Sequence, residues 1–203
     1  MIAVITGDII RSAKARPAKW LIALKKILNT YGSNPKNWEI YRGDSFQLEI
    51  KKPEEAFMAA LRIKALLRGI NMDVRMSIGF GAKRYSGKKI TESNGSAFVN
   101  SGRKFDALRE ENVTLAILTG NDAFDREMNL FIRFALTITD NWSPATAKLV
   151  TLLIENPDKS QVEIARMNKM NQSAVSQQKK RARFDLINDL NTYFAEKVNT
   201  VFK

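Results

Sequence analysis

The chain has 203 residues, 44% of them apolar, which is enough for one large domain or two small ones with real cores. Its formal net charge is +12 with a pI near 10.0, a balance that favours polyanionic partners, nucleic acid first and acidic membrane surfaces second. The absence of cysteine and histidine excludes disulfides, thiolate zinc sites and histidine-based nucleophile or acid–base machinery, so any metal must be held by oxygen ligands, as magnesium is.

Ile2 to Ile10 is a short β-branched apolar run and predicts a buried strand broken at Gly7-Asp8. Asp8 and Arg11 interrupt this run, so no secretory signal is expected, and no apolar stretch approaches membrane-spanning length. A soluble, cytoplasmic chain with no membrane partner is the expectation. Pro17 can open a helix, and Trp20, Leu21, Leu24, Ile27 and Leu28 give it an apolar stripe up to Gly32. Trp38 to Tyr41 and Ser45 to Ile50 are two short strands meeting at Arg42-Gly43-Asp44, a hairpin signature.

Pro53 opens a second helix with Phe57, Leu61, Leu66 and Leu67 on one face and Gly69 at its end. Its Arg62, Lys64 and Arg68 are most simply an exposed face. Val74 to Phe80 predicts a strand, followed by a basic loop with Lys83, Arg84, Lys88 and Lys89, read as solvated, with a phosphate lid or a DNA-backbone contact as the alternatives. Gly95 to Leu108 predicts a helix, Val113 to Leu118 a strand and Asp122 to Leu136 a helix, with a boundary at Thr139 to Pro144. Trp20, Trp38 and Trp142 sit among apolar neighbours and are expected to pack in the core or at a hinge.

Lys159 to Arg183 carries the sharpest signal. Val162, Ile164, Ala165 and Met167 supply the apolar positions of one short helix, and small Ala165 allows a second helix to approach closely. Asn168 to Asn171 is a polar turn, and Asn171 or Gln172 can cap the second helix. That helix carries Ala174 and Val175 inward, while Gln172, Ser173, Ser176, Gln177 and Lys180 project outward, groups able to bond base edges in a major groove. Lys179, Lys180, Arg181 and Arg183 form a basic run suited to phosphates. An amphipathic helix pair with a solvated basic face would share this pattern. Spacing, small residue, polar turn and basic run together favour a helix-turn-helix reader of double-stranded DNA. Positive charge is not confined to this tail, so the front of the chain can itself face phosphates.

Two Gly-Asp pairs stand out in that front part. Asp8 is expected to end the first strand and Asp44 to sit on the hairpin tip; in a β-α-β-β order the two are expected to converge. Converging carboxylates suit a magnesium–nucleoside triphosphate site, because the ion neutralises phosphate charge. Gly-Asp is also a common loop pair.

VITGDIIRS, YRGDSFQLEI, RMSIGFG and GSAFVNSGRKFDAL resemble, in order and in element, the motifs of class III nucleotidyl cyclases, and the hairpin resembles that of GGDEF diguanylate cyclases. The whole chain is similar to bacterial proteins of the SatD family. The resemblance implies that Asp8, Asp44 and the Ile9 carbonyl hold Mg2+, that Ile10, Arg11, Ser12 and Gly43 cradle a nucleotide, and that Asn100 orients a ribose from the opposite subunit of a homodimer. The sequence departs from the cyclases at three places. Lys104 stands where they carry the transition-state arginine, with Arg103 one residue earlier. Ile40 replaces the base-selecting lysine, and Arg11-Ser12-Ala13 replaces the phosphate-side Gly-Phe-Thr. No catalytic residue is assigned; Asn100, Arg103 and Lys104 are candidates only.

The expected fold is α+β: a ferredoxin-like, palm-like domain over residues 1–140 followed by an all-α helix-turn-helix domain over 141–203. The expected function is a DNA-binding transcriptional regulator with a nucleotide-sensing or degenerate cyclase-like front domain. The rival is a metal-dependent nucleotidyl cyclase or nucleotidyltransferase with a DNA-binding tail.

Overall fold

The computed structural model describes residues 1–12 and 17–202. Ala13, expected beside the phosphate loop, lies outside them. The fold is α+β, with a five-stranded mixed sheet and eight α-helices among the described residues. In chain order these are β1 (Ile2–Ile10), α1 (Pro17–Leu28), β2 (Trp38–Tyr41), β3 (Ser45–Ile50), α2 (Ala56–Arg68), β4 (Asp73–Gly81), α3 (Ser96–Ala107), β5 (Leu115–Leu118) and α4 (Asp122–Thr139). The helices α5 (Pro144–Glu155), α6 (Gln161–Met167), α7 (Gln172–Arg181) and α8 (Phe184–Val201) complete the chain. None of the described helices is long and apolar enough to cross a membrane.

The sheet order is β2-β3-β1-β4-β5, antiparallel except for the β4–β5 pair. The strand period of two divides β1 between two environments. Ala3, Ile5 and Ile9 join Phe46, Leu48, Ile78 and Phe80 in the main core with α1, α2, α4 and α8. Val4 instead packs on Ile90, Ala97 and Phe98, under α3. Two glycines are required by geometry. In the loop between β2 and β3 the chain turns through positive φ at Arg42 (51°) and then at Gly43 (90°), and the second value comes at little cost only where a Cβ is missing. Gly79 of β4 lets α3 lie directly on the sheet: a Cβ there would stand 2.1 Å from the Ser101 backbone nitrogen and 2.4 Å from the Ala97 carbonyl oxygen. The contact is sealed by the buried Thr6–Ser101 hydroxyl pair and by Ser77 Oγ donating to the Ser101 carbonyl at 2.7 Å.

The boundary expected at residues 140/141 falls between α4 and α5, yet the main core runs across it. Trp142, Ala147, Val150, Ala182, Ile187, Phe194 and Val198 belong to the same buried cluster as the sheet. Phe194 of α8 stands 5.6 Å from Phe57 and 6.1 Å from Phe80, ring centre to ring centre. The three tryptophans are buried, as expected.

The basic face expected on α2 needs correction. Lys64 is 1% exposed; its Nζ meets Asp73 Oδ1 at 3.0 Å, Asp140 Oδ1 at 2.6 Å and Thr114 Oγ1 at 3.1 Å. Arg68 forms an ion pair with Asp73 at 2.8 Å and donates twice to the Trp142 carbonyl at 3.0 Å. Arg62 reaches Thr30 and Glu155. An i, i+4 pair of cations turned to one side of α2 ties β4, the end of α4 and the start of the helical tail together. Lys83 of the basic loop is likewise paired, 2.5 Å from Glu49, rather than simply solvated.

Candidate nucleic-acid interface and ligand cleft

The expected helix pair is present as α6 and α7, and local chemistry explains both ends of each. Ser160 caps α6 in a reciprocal box with Glu163: the Ser160 N–H donates to Glu163 at 2.8 Å and the Glu163 N–H to Ser160 Oγ at 3.3 Å. The Ser160 N–H, and beside it the Ser160 hydroxyl at 2.8 Å, donate to the Glu163 carboxylate and hold its pKa below the ordinary value. The helix closes with Lys169 at φ 51°, where the Met170 N–H reaches back to the Ala165 carbonyl at 2.9 Å and that of Lys169 to the Arg166 carbonyl at 3.3 Å. Asn171 then caps α7, accepting from the Ala174 N–H at 2.8 Å.

Ile164, Ala165 and Val175 close a small core with Leu149 and Leu153 of α5. Val162 and Met167, expected inward, are 47% and 48% exposed. A seven-residue helix has room for only one narrow buried stripe, and Ile164 and Ala165 fill it.

Ser173, Ser176, Gln177 and Lys180 lie at i, i+3, i+4 and i+7 of α7, one continuous outward stripe with Gln172 beside it. All are exposed except Ser176, which is half-buried. Arg181 and Arg183 are exposed as well. Lys179 differs: its ammonium is 2.6 Å from Asp185 and lies over the Phe184 ring, so its charge is already matched. Arg183, at φ 51°, forms the elbow between α7 and α8.

In the front part, the backbone brings Asp8 and Asp44 to adjacent positions. Asp8 pairs across the strands with Ser45, and the Ile9 N–H donates to the Asp44 carbonyl at 3.2 Å. The carboxylates have separate partners. Arg75 clasps Asp8 through two bonds, 3.1 and 2.9 Å, with Arg109 at 3.9 Å. Asp44 accepts from the Ser12 hydroxyl at 2.5 Å. A divalent ion shared by the two would have to displace a guanidinium that holds Asp8 through two parallel charge-assisted hydrogen bonds. As they stand, these residues do not fit a bridging Mg2+, and no chemical step is derived through one.

Asn100 donates to the Phe80 carbonyl at 2.8 Å, bracing α3 on β4. Lys104 is held by Glu111 at 2.6 and 2.7 Å, and Arg103 is exposed. Ile10 and Arg11 line a polar cleft of about 480 Å³ with Arg68, Asn71, Asp73, Trp142 and Pro144. Arg68, Asp73 and Trp142 line this cleft, although the sequence does not mark them as neighbours of Ile10 and Arg11. Their signal was a tryptophan beside a predicted boundary together with an i, i+4 pair of cations. The Trp142 indole N–H donates to the Ala182 carbonyl at 3.1 Å, just past the end of α7. The cleft therefore touches the outward helix through one hydrogen-bonded side chain.

Comparison with protein-family models, with curated proteins and with solved structures finds no match to this chain.

Proposed function

We propose that this chain is a DNA-binding transcriptional regulator, with α6 and α7 as a helix-turn-helix reader of double-stranded DNA. The observation that carries the reading is the α7 stripe of Ser173, Ser176, Gln177 and Lys180, free of apolar residues and continued by Arg181 and Arg183. Glutamine can bond adenine at two atoms in the major groove, hydroxyls bond either kind of base, and the cations meet phosphates. Readers of this type act on paired half-sites, so the working form is a homodimer. A selection of bound duplexes from a random pool tests the reading. The full chain is expected to return a preferred sequence, and Gln172→Ala with Gln177→Ala should flatten that preference by about tenfold or more at the contacted bases. An unaltered preference contradicts it.

The front part is then a ferredoxin-like palm acting as the sensor. The strand order supports this: β2-β3-β1-β4 is the antiparallel order of that fold, with β5 added at the edge. The ligand is a nucleotide whose phosphates meet Arg11 in the cleft, and the line from Arg68 through Trp142 to Ala182 carries its occupancy to α7. Nucleoside triphosphates at about 100 times their Kd should raise stability by about 2.7 kcal/mol, and Arg11→Ala should remove most of the effect. No shift in Tm with any nucleotide would leave the palm without this role.

A further inference from the structure

On one flank of the molecule α4 and α8 run antiparallel. Glu127 accepts hydrogen bonds from Tyr193 and Lys197, and Phe131 meets Tyr193 edge-on at 5.7 Å. Further along, Phe134 and Ile138 share an open groove with Leu186 and Leu190. The groove is apolar, and two of its walls are bare: Phe134 is 63% exposed and Leu186 58%; Leu130, one turn before Phe134 on α4, is 43% exposed. An isolated exposed leucine needs no explanation, but a contiguous apolar strip on two helices marks a surface meant to be covered.

The rims of the strip carry opposite charge. On the α4 side stand Arg126 and Arg133, on the α8 side Asp189 and Glu196; all four are exposed, and none forms an ion pair among the described residues. We propose that this face docks against the same face of a second copy of the chain, about a two-fold axis lying along the groove.

The charges select that axis. A two-fold axis across the groove would lay α4 on the partner's α4 and α8 on the partner's α8, setting like charges together. An axis along the groove lays α4 on the partner's α8 and keeps heights along the groove unchanged. Because Glu127 is level with Lys197 and Phe134 with Leu190, the cation at 126 then faces the acid at 196 of the second copy, and that at 133 faces the acid at 189. Both ion pairs form twice, and the apolar strips meet between them. The same axis has a second consequence. Each α8 begins where α7 ends, so both copies of α7 emerge at one end of the pair, able to meet one duplex. The inference deepens the dimeric reader proposed above and rests on that reading only for its purpose.

Sedimentation equilibrium of the full chain, without DNA, tests it. A dimer is expected at low micromolar concentration. Phe134→Glu, made at an exposed position with the fold checked by circular dichroism and Tm, should weaken pairing about 100-fold or more. Arg133→Asp and Asp189→Arg should each weaken it about tenfold, and together they should restore it to within about threefold. A monomer at about 100 μM overturns the proposal. So does unchanged pairing in a folded Phe134→Glu variant, which would place the contact elsewhere or give the strip to a different protein. A double charge swap that adds its losses overturns the axis. Because pairing is read without DNA, a chain that dimerises but binds no duplex supports this face and counts against the DNA reading.

Discussion

Gly79→Ala should cost about 3 kcal/mol or more of unfolding free energy, a large effect for adding one methyl group. The new Cβ would stand 2.1 Å from the Ser101 nitrogen and 2.4 Å from the Ala97 oxygen, both backbone atoms of α3. Neither can swing aside, so the helix must lift off the sheet. Lifting it breaks the Thr6–Ser101 and Ser77–Ser101 hydrogen bonds and opens the Val4, Ala97 and Phe98 cluster. Gly102→Ala is the control on the same helix. A Cβ there meets nothing within 4 Å, and alanine is the better helix former, so that variant should gain about 0.5–1 kcal/mol. Urea denaturation of the two variants decides the matter. A Gly79→Ala loss below about 1 kcal/mol would mean that α3 does not lie where it is described.

Lys64→Met should lose about 3 kcal/mol, for an electrostatic reason. Lysine is seldom fully buried, and here its ammonium is the shared counter-ion of Asp73 and Asp140. Methionine fills similar space, so little packing is lost, but two nearby carboxylates are left to repel each other. Arg68 still neutralises part of Asp73, and Asp140 is 35% exposed in its side chain, so water screens part of the penalty; both keep the loss at the lower end for a broken buried pair. Adding Asp140→Asn to Lys64→Met should recover about half of the loss. If Lys64→Met proves neutral and the second change adds nothing, the cluster does not join the helical tail to the sheet.

Local order along the chain was legible where its causes are local. The strands at 38–41 and 45–50 coincide with the apolar runs, because alternation and a turn at Arg42-Gly43-Asp44 fix them without help from elsewhere, whereas β1 runs unbroken through the expected break at Gly7-Asp8, where pairing with both β3 and β4 holds it extended. The α6–α7 pair was legible for the same reason: Ser160, Glu163 and Asn171 satisfy backbone groups within three residues of themselves. Features that depend on distant partners were not legible. Lys64 and Arg68 look like solvent-facing cations until Asp73, Asp140 and the Trp142 carbonyl are brought beside them. Nor does the sequence show that the β1–β4 register sets Arg75 opposite Asp8, where it clasps the carboxylate. Val162 and Met167 could not be assigned a side from a seven-residue stretch. Nor does a helical tail announce that Phe194 will pack against Phe57 and Phe80, more than a hundred residues earlier.

In the proposed DNA reader, α7 and the elbow after it meet the duplex. The most direct test of this contact is the affinity of the full chain for a labelled duplex as a function of salt, compared with a Lys180→Ala, Arg181→Ala, Arg183→Ala variant. These three cations are exposed, whereas Lys179 is already matched by Asp185. Each phosphate contact releases counter-ions and contributes about 0.9 to the slope of log affinity against log salt. The variant is therefore expected to bind all sequences about a hundredfold more weakly or worse, with a slope shallower by about 3, while its Tm is unchanged. Equal affinity and equal slope for the two proteins, or no duplex binding by the wild-type chain at low salt, would contradict the account.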